Sequence, residues 1–120
     1  MDFFRICLMF FQRGLYMITK LNNRELFQFC EQFSIILRSG MSAIEGLAIL
    51  NDDSQTEWGK EILTFLYKDM EESGSLAHAM EQSGAFPASA AAYVRTGEET
   101  GCLDEVMKGL SAFYAKEIQI

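Results

Sequence analysis

The chain has 120 residues, of which 49% are hydrophobic, 22% are charged and one is proline. This suits one domain with a sizeable core and argues against disorder. The net charge of −7 disfavours a nucleic-acid partner, since phosphate contacts need clustered Lys and Arg.

The charge is uneven. Residues 1–40 hold five basic residues (Arg5, Arg13, Lys20, Arg24, Arg38) against three acidic ones (Asp2, Glu25, Glu31), a net of +2, so the rest carries −9. A mildly basic beginning and an acidic body suit an N-terminus beside an anionic membrane and a far face that meets proteins; ordinary scatter of surface charge explains the same pattern.

Taken in chain order, residues 1–20 read as an amphipathic helix. At 100° per residue, Asp2, Arg5, Gln12, Arg13 and Lys20 share one face, and Phe3, Phe4, Cys7, Phe10, Phe11 and Ile18 lie elsewhere. Such a surface packs on the bundle or on a second copy, or lies on a membrane. The apolar run from Ile6 to Phe11 is too short for a membrane span, which needs roughly 20 residues. No small-residue cleavage site follows it, which argues against a signal peptide.

A bundle domain is expected over 24–118. Asn22 or Asn23 caps its first helix, in which Leu26, Cys30, Phe33 and Leu37 form a stripe widened by Phe29 and Ile36. Gly40 supplies a left-handed stop. Ser42 caps a second helix, with Glu45 at the capping-box spacing and Ile44, Leu47, Ala48 and Leu50 on its apolar side. A third helix starts near Thr56, carries Trp58, Ile62, Phe65, Leu66 and Met70, and ends at Gly74. Ser75 caps a short fourth helix with Leu76, Ala79 and Met80, closed by Gly84. Pro87 takes the first position of a fifth, where its missing N–H costs nothing. The segment Gly97-Glu98-Glu99-Thr100-Gly101 breaks that helix, and a last one carries Leu103, Val106, Leu110 and Phe113. No stretch alternates long enough to make a strand. The expected fold is all-α: an antiparallel bundle of about six helices with an additional N-terminal amphipathic helix.

Catalysis finds little footing. The one histidine, His78, reads as a surface or half-buried helix residue, and no phosphate-binding GxxxxGK[ST] loop is present. Asp69, Glu71 and Glu72 near the end of the third helix read as a solvated face. Glu98, Glu99, Asp104 and Glu105 are hard oxygen donors that a calcium or magnesium ion could bridge, but their spacing matches no EF-hand. Asp104 and Glu105 are explained more simply as first-turn acids favoured by the helix dipole. Cys7, Cys30 and Cys102 are odd in number and widely spaced, which fits buried free thiols in a reducing compartment. The chain is therefore read as a non-enzymatic protein with no metal site and no cofactor.

Four elements in order carry a family resemblance. FCEQFSIILRSGMSAIEGLAIL, Phe29 to Leu50, resembles the start of a type II secretion system F domain, with Gly40 at its break. MEESGSLAHAM, Met70 to Met80, is similar to the family's Gly…Ser-Leu-x-x-Ala-Leu element, with Gly74, Leu76 and Ala79 in place and Met80 for the usual leucine. Phe86-Pro87 stands where the family has its Phe-Pro pair. Gly97, Glu98, Gly101 and Leu103 resemble the signature Gly-Glu-x-x-Gly-x-Leu.

The resemblance implies a six-helix antiparallel cytoplasmic domain of an inner-membrane platform protein for type II secretion, type IV pilus or competence pseudopilus assembly. It further implies contact with the assembly ATPase, other inner-membrane components and the pilins or pseudopilins. Full-length members pair two such domains with a few membrane spans, so this chain is expected to be a soluble piece lying at the cytoplasmic face of the bacterial inner membrane. Extra apolar surface in the leading segment suits a homodimer. The signature residues themselves read as structural: Gly97 and Gly101 allow a tight inter-helix turn, and Glu98 accepts hydrogen bonds from backbone N–H groups at that turn. The rival reading is a stand-alone helical adaptor binding peptides or partner helices.

Overall fold

Capping side chains set the helix starts. Asn22 Oδ1 accepts the Glu25 N–H at 2.8 Å and the Asn22 N–H donates to Glu25 Oε1 at 2.9 Å, a reciprocal capping box. Ser42, Thr56 and Ser75 each accept an N–H three residues on. The computed structural model describes residues 20–118; the amphipathic helix expected over 1–20 lies, apart from Lys20, outside them, as does the side chain of Trp58. Among the described residues there are six helices and no strand: α1 Asn23–Arg38, α2 Ala43–Asp53, α3 Glu57–Ser73, α4 Leu76–Ser83, α5 Ala88–Thr100 and α6 Leu103–Glu117. None is long and apolar enough to cross a membrane.

Each helix packs on its neighbour in sequence, and α1 packs most extensively of all on α6. Two contacts fix the sense of that closing pair. Asn23 Nδ2 donates to the Glu117 carbonyl at 3.4 Å, and eight residues further along α1 Glu31 accepts the Ser111 hydroxyl, six residues back along α6. The two helices are antiparallel, and they seal the bundle.

The core holds Phe33, Leu47, Leu66, Leu76, Met80, Val94 and Met107, all essentially inaccessible. Each such side chain contributes about 1.5–3 kcal/mol on burial. The stripe read on α1 is the buried one: Leu26, Cys30 and Phe33 face inward, with Phe29 and Ile36 packed at its edge. On α6 the stripe is rotated. Met107, Leu110 and Tyr114 are buried, and Phe113 is 54% exposed. Phe113 and Tyr114 are adjacent aromatics, and Tyr114, four residues beyond Leu110, keeps the inward line begun by Leu103 and Met107.

Two boundaries differ from expectation. Pro87 sits at the N-cap of α5, one position before its first helical residue; its φ of −61° and ψ of 145° are extended, and its carbonyl accepts from the Ala90 and Ala91 N–H groups. The segment from Gly97 to Thr100 is helical, and the break falls at Gly101 and Cys102. Thr100 Oγ1 donates to the Thr96 carbonyl at 2.8 Å, so that last turn holds its own side chain rather than unwinding.

Candidate functional site

Helix α4 is eight residues long, so its exposed first-turn N–H groups weigh heavily on it. All four are satisfied. The Ser75 N–H reaches Ser73 Oγ at 3.2 Å, and the His78 N–H reaches Ser75 Oγ at 3.1 Å. The remaining two are taken by a side chain from another helix. Glu98, on α5, accepts the Leu76 N–H on Oε2 at 2.6 Å and the Ala77 N–H on Oε1 at 3.2 Å. Ser75 Oγ–H also donates to Oε1, at 2.8 Å.

A carboxylate at the positive end of a helix dipole, holding three donors, forms charge-assisted bonds of the stronger kind. The donors for Glu98 are therefore not those of its own turn, as spacing indicated, but those of a turn more than twenty residues upstream. Periodicity places Glu98 on a helix and cannot say which neighbour it faces.

The same corner is tied on its other side. His78 Nδ1 lies 2.8 Å from Asp69 Oδ1, and Ser73 Oγ donates to the same oxygen at 3.2 Å. Asp69 is thus engaged rather than merely solvated, with its side chain only 17% exposed. Glu71 and Glu72 are exposed. A surface ion pair joins Arg95 of α5 to Glu81 of α4; at that exposure it adds little stability.

Below Glu98 the backbone of α5 comes close to α6. A Cβ on Gly97 would lie 2.9 Å from Val106 Cγ2 and 3.2 Å from Leu103 Cα. At Gly101 the reason for glycine is different: φ is +73° and the space around it is open. Its N–H and that of Cys102, the latter at 2.9 Å, both bond the Gly97 carbonyl, which closes α5 in a Schellman-type turn.

Six of the singled-out residues therefore meet in one region, with Glu98 at its centre. Gly74 (φ +73°) ends α3, Leu76 is buried beneath Glu98, and Gly97, Gly101 and Leu103 form the α5–α6 corner. Phe86 and Pro87 sit elsewhere, on the α4–α5 link. The Phe86 ring packs 5.2 Å from Phe29 of α1, and the neighbouring Ala85 carbonyl accepts the Leu21 N–H at 3.0 Å. Gly40 (φ +98°) turns the chain between α1 and α2, away from both groups. Sequence reasoning missed Ser75 Oγ as a ligand of Glu98, the Asp69–His78 contact, and the Glu31–Ser111 bond; each joins residues of different helices or their caps, and spacing along one helix gives no sign of them.

The acidic residues considered for a metal do not converge. Glu98 turns both oxygens to α4, Asp104 and Glu105 stand in the first turn of α6, and among the described residues no group of three or more His, Cys, Asp or Glu is placed to hold an ion. Burial pushes the Cys30 thiol up to about 12, and it raises Tyr114 as well, with the charge of a Cys30 thiolate as the second cause.

The residues of both groups fall within one match. The family model for type II secretion system (T2SS), protein F covers residues 29–120. The chain belongs to the type II secretion system protein F family. It is 28% identical over 97 residues to the type IV pilus assembly protein PilC of Thermus thermophilus, covering 81% of this chain and 24% of that protein. It is 35% identical over 75 residues to the protein transport protein HofC homolog of Escherichia coli K12, covering 62% of this chain and 19% of that protein. The chain thus spans about a quarter or less of these relatives. In this member of the protein F family, the Glu98 clamp and the Gly97 approach both lie inside the matched part.

Proposed function

We propose that this domain is a scaffold module of an inner-membrane platform for type II secretion, type IV pilus or competence pseudopilus assembly, working at the cytoplasmic face of the membrane. Its partners are the assembly ATPase, other inner-membrane components and the pilins or pseudopilins, and a second copy of the domain is a further partner. The observation that carries this reading is the family match over residues 29–120. The relatives' names, pilus assembly and protein transport, support it. A scaffold acts by holding position, and the corner built on Glu98 is suited to that role because three bonds to one carboxylate weld α4 to α5.

Photo-crosslinking in cells tests this reading, from Tyr93 on α5 and Phe113 on α6, which are 61% and 54% exposed. Adducts with the assembly ATPase or an inner-membrane component are expected. Adducts only with soluble proteins unrelated to secretion or pili would favour the helical-adaptor reading.

A further inference from the structure

Along α1 and its entry, Leu21, Glu25, Gln28, Gln32 and Ile35 follow at spacings of four and three, so they share one stripe. That stripe is one wall of an open groove of about 610 Å³. Ile49 of α2 and Leu63 of α3 line it from the other side, over the buried Leu50 and Ile62. Ile35 is 56% exposed on the wall. Among the described residues the only charged lining is acidic: Glu25 on α1 and Asp53 on α2. Glu25 is held in place by its capping box with Asn22.

We propose that this groove docks an amphipathic helix of a partner protein, its apolar face bordered by Lys or Arg. The wall from Leu21 to Ile35 corresponds to roughly four helical turns, about 21 Å, so the partner helix is about as long. Apolar side chains at three- and four-residue spacing would fill such a groove, the usual way a helix is read by a concave surface. Positive groups flanking that face would meet Glu25 and Asp53 at the rim, and no Lys or Arg of the lining opposes them. The same acidic rim repels anionic lipid, which favours a protein over a membrane surface. The proposal adds the chemistry of one partner to the scaffold reading. It rests on that reading only in placing the partner among secretion or pilus components; docking itself is tested with purified chain.

Anisotropy titration of a labelled peptide with the whole 120-residue chain tests it. The probe is a helical peptide of about fifteen residues, with leucines at three- and four-residue spacing and lysines bordering them. Ile35→Asp should weaken binding at least about tenfold, as loss of one buried apolar contact implies. Simple attraction to an acidic chain would instead strengthen, because that variant adds negative charge. Asp53→Lys should weaken binding several-fold, and a peptide with glutamate for each lysine should bind at least about tenfold more weakly. Hydrogen exchange of the parent chain keeps the test decisive if either variant fails to fold: the peptide should protect 21–36 and 49–63 and leave α5 and α6 unchanged. Absence of binding, binding that neither variant weakens, or protection elsewhere overturns the proposal. Protection of 21–36 that the peptide does not alter also overturns it; loss of that protection on dilution assigns the groove to a second copy, and persistence on dilution assigns it to the chain's own packing. Protection gained only with anionic vesicles assigns the face to a membrane and overturns it too.

Discussion

Glu98 Oε2 lies 2.6 Å from the Leu76 amide nitrogen, so a side chain of α5 completes the first turn of α4. Leu76 is itself inaccessible, and its N–H loses its charged acceptor once the carboxylate is removed. Glu98→Ala is expected to cost about 2–3 kcal/mol, the scale of charge-assisted bonds lost to a donor left buried. Glu98→Gln keeps one oxygen acceptor and loses the charge, and should cost less. Urea unfolding curves of the three proteins check the order; a Glu98→Ala midpoint equal to the parent's would show that α4 holds its first turn without the clamp.

The two glycines of the α5–α6 corner should fail for different reasons. Gly101→Val is expected to lose about 1–3 kcal/mol through backbone strain, and Gly101→Asn much less, because asparagine tolerates a left-handed conformation. Gly97→Ala creates a clash with Val106 Cγ2 and the Leu103 backbone and should also lose about 1–3 kcal/mol, as overpacking does. A smaller partner at the clash should relieve it. Thermal melts of Gly97→Ala with and without Val106→Ala measure that coupling, and strict additivity would place the strain elsewhere.

Alkaline pH should loosen the α1–α6 seam. Cys30 keeps its proton up to about 12 in the folded chain, and Tyr114 is also raised. The unfolded chain releases the Cys30 proton near its ordinary value of 9.0, so above that pH the folded state binds more protons and stability falls as pH rises. The loss should run from about pH 9 to about 12 and should shrink in Cys30→Ala, after allowing for that variant's packing cost. Chemical denaturation in a series of buffers from neutral to alkaline pH checks it.

Thiol labelling gives a second view of the same burial. Cys102, partly exposed between α5 and α6, should react readily with a maleimide, and Cys30 should react only as fast as the bundle opens. Mass spectrometry of labelled peptides distinguishes the two; rapid labelling of Cys30 would mean that α1 leaves α6 readily.

Helix number and type were legible because the signals are local. Asn22, Ser42, Thr56 and Ser75 each cap within three residues, and Gly74, Gly84 and Gly101 stop helices by their own backbone conformation. The candidate site was only half legible. Glycine spacing marked the α5–α6 corner, yet nothing in Gly97-Glu98-Glu99 says that Glu98 faces Leu76 and Ala77, because that choice is made by how α4 and α5 pack. The rotation of α6 was missed for a related reason: Phe113 and Tyr114 are both large aromatics, and the way α6 packs on α1 decides which one is buried.

The pairing of α1 with α6 also has a consequence for how the chain is made. Asn23 and Glu117 are 94 residues apart, so the inward face of α1 leaves the ribosome long before its main partner exists. At typical synthesis rates the wait is roughly 5 to 20 seconds. During that interval Leu26, Cys30 and Phe33 have only α2 for company, which makes the nascent chain, rather than the finished bundle, the stage at which chaperones have most to protect.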